Sequence, residues 1–142
     1  LPSLDYHRLR TKTCRAIWGG TGTVSATSYS ELAASGTALH CEFVSWNDSD
    51  LSWSLFGMVN NNTATNLATI AADFDNVSTP EAENAQWKEN NASQQYPLGL
   101  SGSAALTEGW HYITTYGKAS SATPTPTVSV FTGGGEEVRI PQ

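Results

Sequence analysis

Hydrophobic positions recur along this chain with a period of two, the repeat of an extended strand that buries one face. In LHCEFVSW, Leu39, Cys41 and Phe43 fall on one face while His40, Glu42, Val44 and Trp46 fall on the other. After the polar break NDSD, the run LSWSLFGMV puts Trp53, Leu55 and Val59 on a single face. Two such runs across a short Asn/Asp turn predict a hairpin. Further strands are expected in CRAIW, ended by Gly19–Gly20, and in GTVSATSYS, TATNLATIAADF, TPTVSVFT and EEVRIP. In GWHYITTYGKA, Trp110, Tyr112, Thr114 and Tyr116 alternate with His111, Ile113 and Thr115. About eight strands separated by Gly, Pro, Asn and Ser breaks predict an all-β fold, an antiparallel β-sandwich or jelly roll.

One stretch departs from the alternation. STPEAENAQWKENNASQQYPLG is polar and amide-rich. Pro80, between Ser78/Thr79 and Glu81, suits the first turn of a short helix, but the preferred reading is one long polar loop, the kind of segment on which binding residues tend to lie. Trp87 stands among Asn84, Gln86, Lys88, Asn90 and Asn91, with Tyr96 beyond. Stacking surface beside amide donors and acceptors makes Trp87, Asn90, Asn91 and Tyr96 candidates for contact with a receptor or glycan. The competing reading is that Trp87 tucks into the sandwich and pins its own loop.

Composition supports strands over helices, because only 14% of the residues are charged and Ser, Thr, Asn and Gly fill the polar positions. At 142 residues the chain fits one domain. Charge divides it unevenly. Four of the seven positive side chains lie in LPSLDYHRLRTKTCR, and the remainder carries three positive and twelve negative groups, a balance of −9. Such a body repels phosphate backbones, so no nucleic acid is expected to bind the folded domain. No window reaches the 18 or so apolar residues of a membrane span, and no membrane insertion is expected. Residues 1–13 read as an extended hinge or leader on a fragment, and 14–142 as a single β-sandwich domain. The leader is too mixed for a nucleic-acid arm; its bases suit a tether against the acidic body or a neighbouring subunit.

Cys41 falls in an apolar strand pattern and reads as a small buried hydrophobe, with a Cys14–Cys41 disulfide as the alternative. The chain has no G-x-S-x-G elbow, H-E-x-x-H pair, phosphate loop or dinucleotide fingerprint, and GTGT and GGG read as turns. No catalytic residue is assigned and no enzyme is expected. A small glycosidase, drawing a carboxylate pair from Glu42, Asp48, Asp50, Asp73 and Asp75, is the third-ranked reading. In DFDN, Asp73 and Asp75 place two hard oxygen ligands on one side of an extended chain, a weak calcium candidate set against the simpler reading of a solvated turn.

The leader on a fragment, the cysteine-poor eight-strand pattern and the late segment LTEGWHYITTYGKASSATPTPTVSVF before VRIPQ together resemble the protruding domain of a capsid protein of the nodavirus and tombusvirus-like kind. In that resemblance Gly109–Trp110–His111–Tyr112 looks like a closing strand of the outer jelly roll, and LPSLDYHRLR like the hinge from an upstream shell domain. The resemblance implies a non-enzymatic spike on the virion surface that needs no cofactor. It implies self-association, as a homotrimer in preference to a homodimer, and loops presented to a host cell-surface receptor, with glycans among the candidates. By analogy, Asp73 and Asp75 would sit at a calcium-assisted subunit contact. The alternative is a secreted carbohydrate-binding sandwich using Trp87.

Overall fold

The computed structural model describes residues 12–34, 37–38, 40–46, 50–61, 67–75, 85–88, 95–119 and 128–141. These residues form β1 (Lys12–Ile17), β2 (Gly22–Val24), β3 (Ser30–Glu31), β4 (Ala33–Ala34), β5 (Thr37–Ala38), β6 (Cys41–Ser45), β7 (Asp50–Asn61), β8 (Leu67–Phe74), β9 (Ala85–Lys88), β10 (Tyr96–Ala105), β11 (Gly109–Ala119), β12 (Val128–Val130) and β13 (Gly135–Ile140). One sheet runs β1-β13-β7-β12-β2-β4-β5, with β10 also paired to β7; the other runs β3-β11-β8-β9, with β6 also paired to β11. Every pairing is antiparallel. The fold is the all-β sandwich that the alternation predicts.

The period of two sorts the side chains of the main strands into two sets, and burial marks the inner one. Leu51, Trp53, Leu55 and Val59 of β7 are buried, as are Val130, Val138 and Ile140. Cys41 and Phe43 of β6, Ile70 and Phe74 of β8 and Ile113 of β11 complete the same core from the other sheet. Each fully buried aliphatic side chain of this kind contributes about 1.5–3 kcal/mol.

Three expectations are corrected. First, β6 and β7 do not form a hairpin: β6 pairs with β11, from Cys41 opposite Ile113 to Ser45 opposite Gly109, while β7 belongs to the other sheet. Both runs have an apolar face that needs covering. Stacking the two faces in opposite layers covers both, whereas a hairpin would leave them side by side. Second, the long polar stretch contains β9 and leads into β10. The YPLG that ends that stretch opens β10, YPLGLSGSAA, which pairs with β7 over ten residues despite Pro97, Gly99 and Gly102, from Tyr96 opposite Val59 to Ala105 opposite Asp50. Among the described residues β10 pairs only with β7, and an edge strand tolerates Pro and Gly. The helix start at Ser78–Glu81 lies outside the described residues.

Third, Cys41 is buried but not free: it is bonded to Cys14, with the two Cα atoms 5.9 Å apart. The bond ties β1, at the end of one sheet, to β6 in the other. Lys12 and Thr13, assigned above to the leader, pair with Ile140 and Arg139 as part of β1. The GGG turn also does more than reverse the chain. Trp18, fully buried, donates its backbone N–H to the Gly134 carbonyl at 2.7 Å and accepts from the Gly133 N–H at 3.1 Å. A Cβ on Gly134 would fall 2.8 Å from the Trp18 ring and 2.7 Å from the Phe56 carbonyl, so only glycine fits this slot.

Candidate functional site

β11 lies between β8 on one side and β6 and β3 on the other. Its alternation gives it two faces. His111, Ile113 and Thr115 point toward the core, and all three are buried. Trp110 and Tyr112 point outward, in register with Val44 and Glu42 of β6. Trp110 is 58% exposed, Val44 44%, and Trp46, next on the same side of the chain beyond Val44, is 52% exposed. Three of the five exposed large hydrophobic side chains among the described residues therefore share one face, a clustering that marks interaction surfaces.

The rings on this face are ordered by their neighbours. Trp110 and Tyr112 have centroids 5.1 Å apart at 45°, and the His40 imidazole stacks on Tyr112 at 4.7 Å. His40 Nε2 lies 2.5 Å from Glu31 Oε1, so a carboxylate holds the imidazole in the row. Glu42, opposite Tyr112, is exposed.

Beneath this face are two buried titratable groups. His111 Nδ1 is 2.6 Å from Asp75 Oδ2 and its Nε2 is 2.7 Å from the Thr107 carbonyl. Both partners are acceptors, so the ring satisfies both bonds only as the doubly protonated imidazolium. Burial works against that charge, but the hydrogen bonds from Asp75 and Thr107 and the charge of Asp75 outweigh it and raise the His111 pKa. Asp75, in the left-handed region at φ 58°, also accepts the Tyr112 N–H through Oδ1 and donates its own N–H to the Tyr112 carbonyl. The second group is Glu136 of β13, fully buried between the sheets. Its Oε1 accepts the Cys41 N–H at 2.8 Å and its Oε2 accepts the Thr115 hydroxyl at 2.9 Å. Burial pushes its carboxyl up to about 8, partly opposed by these two bonds.

The described residues among those singled out from sequence fall on several strands. Trp87 lies in β9, opposite Ala68, whereas Tyr96 lies in β10 of the other sheet, half-buried against the core. Asn90 and Asn91 lie outside the described residues. Asp73 Oδ1 accepts the Phe74 N–H, and both Asp75 oxygens are engaged by protein donors. Among the described residues no three His, Cys, Asp or Glu side chains converge as a metal site would require. Of the glycosidase carboxylates, Glu42 and Asp50 belong to different sheets and Asp48 is outside the described residues. The alternation had already grouped Trp110 with Tyr112, and Val44 with Trp46. Joining the two groups required the register of β6 on β11.

No protein-family model and no curated protein matches the chain. Among solved structures it is similar to a chain in the structure of infectious bursal disease virus, Gx strain, with a TM-score of 0.51 and 10% sequence identity. The match covers 92% of this chain and 32% of that one, so this chain spans about a third of its structural neighbour. At that identity the likeness is one of fold: the sandwich is shared, and no residue correspondence is read from it.

Proposed function

We propose that this chain is a viral capsid-protein domain, and within that class a protruding domain that self-associates and mediates attachment to host cells. The observation that carries the reading is the fold likeness to a chain of a virus structure over nearly the whole of this domain. The charge balance and the exposed ring cluster support it: an acidic body keeps clear of packaged nucleic acid, and an outward aromatic face suits contact with a partner. Catalysis plays no part in the proposal, and the trimer is the preferred assembly. The rival, a secreted carbohydrate-binding module, draws on the same ring cluster and predicts a monomer.

Two measurements test the reading. Light scattering after size exclusion, with and without calcium, is expected to give a trimer or dimer mass for the 142-residue chain. Intact particles assembled from the full-length protein that carries this chain are expected to bind antibodies raised against it. A strict monomer at high concentration together with antibody-inaccessible particles would overturn the proposal.

A further inference from the structure

The ring cluster on β6 and β11 has a chemistry that narrows what it can bind. His40 and Tyr112 stack behind Trp110 and brace it, yet more than half of the Trp110 surface stays open. Adjacent ring planes differ by 30° and 45°. They form a graded row, whereas a cage that captures a cation needs ring faces closing round it from several sides. The polar groups beside the row are acceptors: Glu42, opposite Tyr112 and exposed, and Glu31, which already holds His40.

Three described positive side chains have their partners away from the row. Arg15 and Arg139 are on the other sheet and both pair with Glu137. Lys118, at the far end of β11, lies over the Tyr29 ring. With two carboxylates at the row and a net charge of −6, anionic ligands are repelled. The described cluster comprises His40, Glu42, Val44, Trp46, Trp110 and Tyr112.

We infer that this face is a binding site for uncharged carbohydrate, in which the C–H face of a sugar ring stacks on Trp110 while its hydroxyls donate to Glu42. The C–H face is apolar and the hydroxyls are donors, which is the complement of an exposed indole beside a carboxylate acceptor. The inference rests on the attachment reading above and names the ligand class for it.

The test is a printed array of neutral oligosaccharides, including lactose and chitobiose, alongside their sialylated and sulfated counterparts, followed by titration of the best ligand. The intact chain is expected to bind neutral members in preference to anionic ones. Trp110→Ala is expected to weaken the titrated ligand at least about tenfold, and Glu42→Gln severalfold, with the circular dichroism spectrum unchanged. If Trp110→Ala fails to fold, Glu42→Gln and Tyr112→Phe carry the test. No neutral binding at about 10 mM sugar, preference for anionic glycans or cationic peptides, or affinity indifferent to Trp110 and Glu42 overturns the inference. Failure here with an oligomeric, particle-exposed domain removes the carbohydrate alone. Sugar binding by a strict monomer absent from particle surfaces removes the capsid reading instead.

Discussion

The two faces of β11 carry polar and aromatic groups for opposite ends. On the inner face, Thr115 and His111 are buried and every strong polar group on them has a partner, because an unpaired group there costs about 1–3 kcal/mol. On the outer face, Trp110 and Tyr112 are aligned by ring contacts while much of the indole stays exposed. The inner face converts pairing into stability. The outer face converts rigidity into an available surface. The two histidine–carboxylate pairs repeat the contrast: the His111 side chain is 10% exposed, that of His40 33%.

The contrast predicts a graded set of effects. Replacing both Cys14 and Cys41 by Ser opens the tie that spans 27 residues of sequence, and a loss of about 3 kcal/mol is expected in urea unfolding. Glu136→Ala comes next. It strands the Cys41 N–H and the Thr115 hydroxyl in the core, and about 2–3 kcal/mol should be lost, whereas Glu136→Gln should retain most of the stability at neutral pH.

The pH dependence separates the inner face further. Glu136 is raised from 4.5 to about 8, so its contribution is complete below about 4.5, falls as pH rises, and is lost above about 8. His111 is raised above 6.5; its contribution is complete below that value and is lost as pH climbs through the folded pKa. Both groups have the same sign, and the nearby charge of Glu31 adds to the rise at Glu136. Unfolding free energies measured from pH 5 to 9 should therefore fall with pH for these two groups. Glu136→Gln should flatten the curve through the neutral range, and a parallel curve in the variant would count against Glu136 as its source.

Smaller effects are expected where the group or its partner is exposed to water. His111→Ala is expected to cost about 1–2 kcal/mol, discounted because Asp75 is 41% exposed. Trp110→Ala should change stability by less than about 0.5 kcal/mol while weakening the proposed sugar binding at least about tenfold. A core-face substitution that abolished binding without unfolding, or an outer-face one that unfolded the domain, would erase the distinction between the faces.

The extent to which sequence anticipates this arrangement depends on the kind of residue. Cys41 with Phe43, and Trp53 with Leu55 and Val59, were grouped correctly because alternation is local and burial enforces it. β10 escaped because Pro97, Gly99 and Gly102 oppose strand propensity, and its pairing with β7 outweighs them. Trp87 stood out in sequence for its amide neighbours, while Trp110 was placed only as one more position in a strand. The exposure of Trp110 depends on what the neighbouring strands cover, which its place in the alternation does not report.

By itself the sequence determined the all-β class, the face-by-face grouping of side chains in the main strands and the acidic body, because each follows from nearest-neighbour periodicity or from a sum over residues. Tertiary structure alone decided that β6 crosses to the sheet opposite β7, that Cys14 meets Cys41, that Glu136 lies between Cys41 and Thr115, and that Trp110, Tyr112 and His40 share one open face. These are contacts between residues far apart along the chain. Pairing register fixes them, and a period of two specifies which way a side chain points without specifying which strand it will meet.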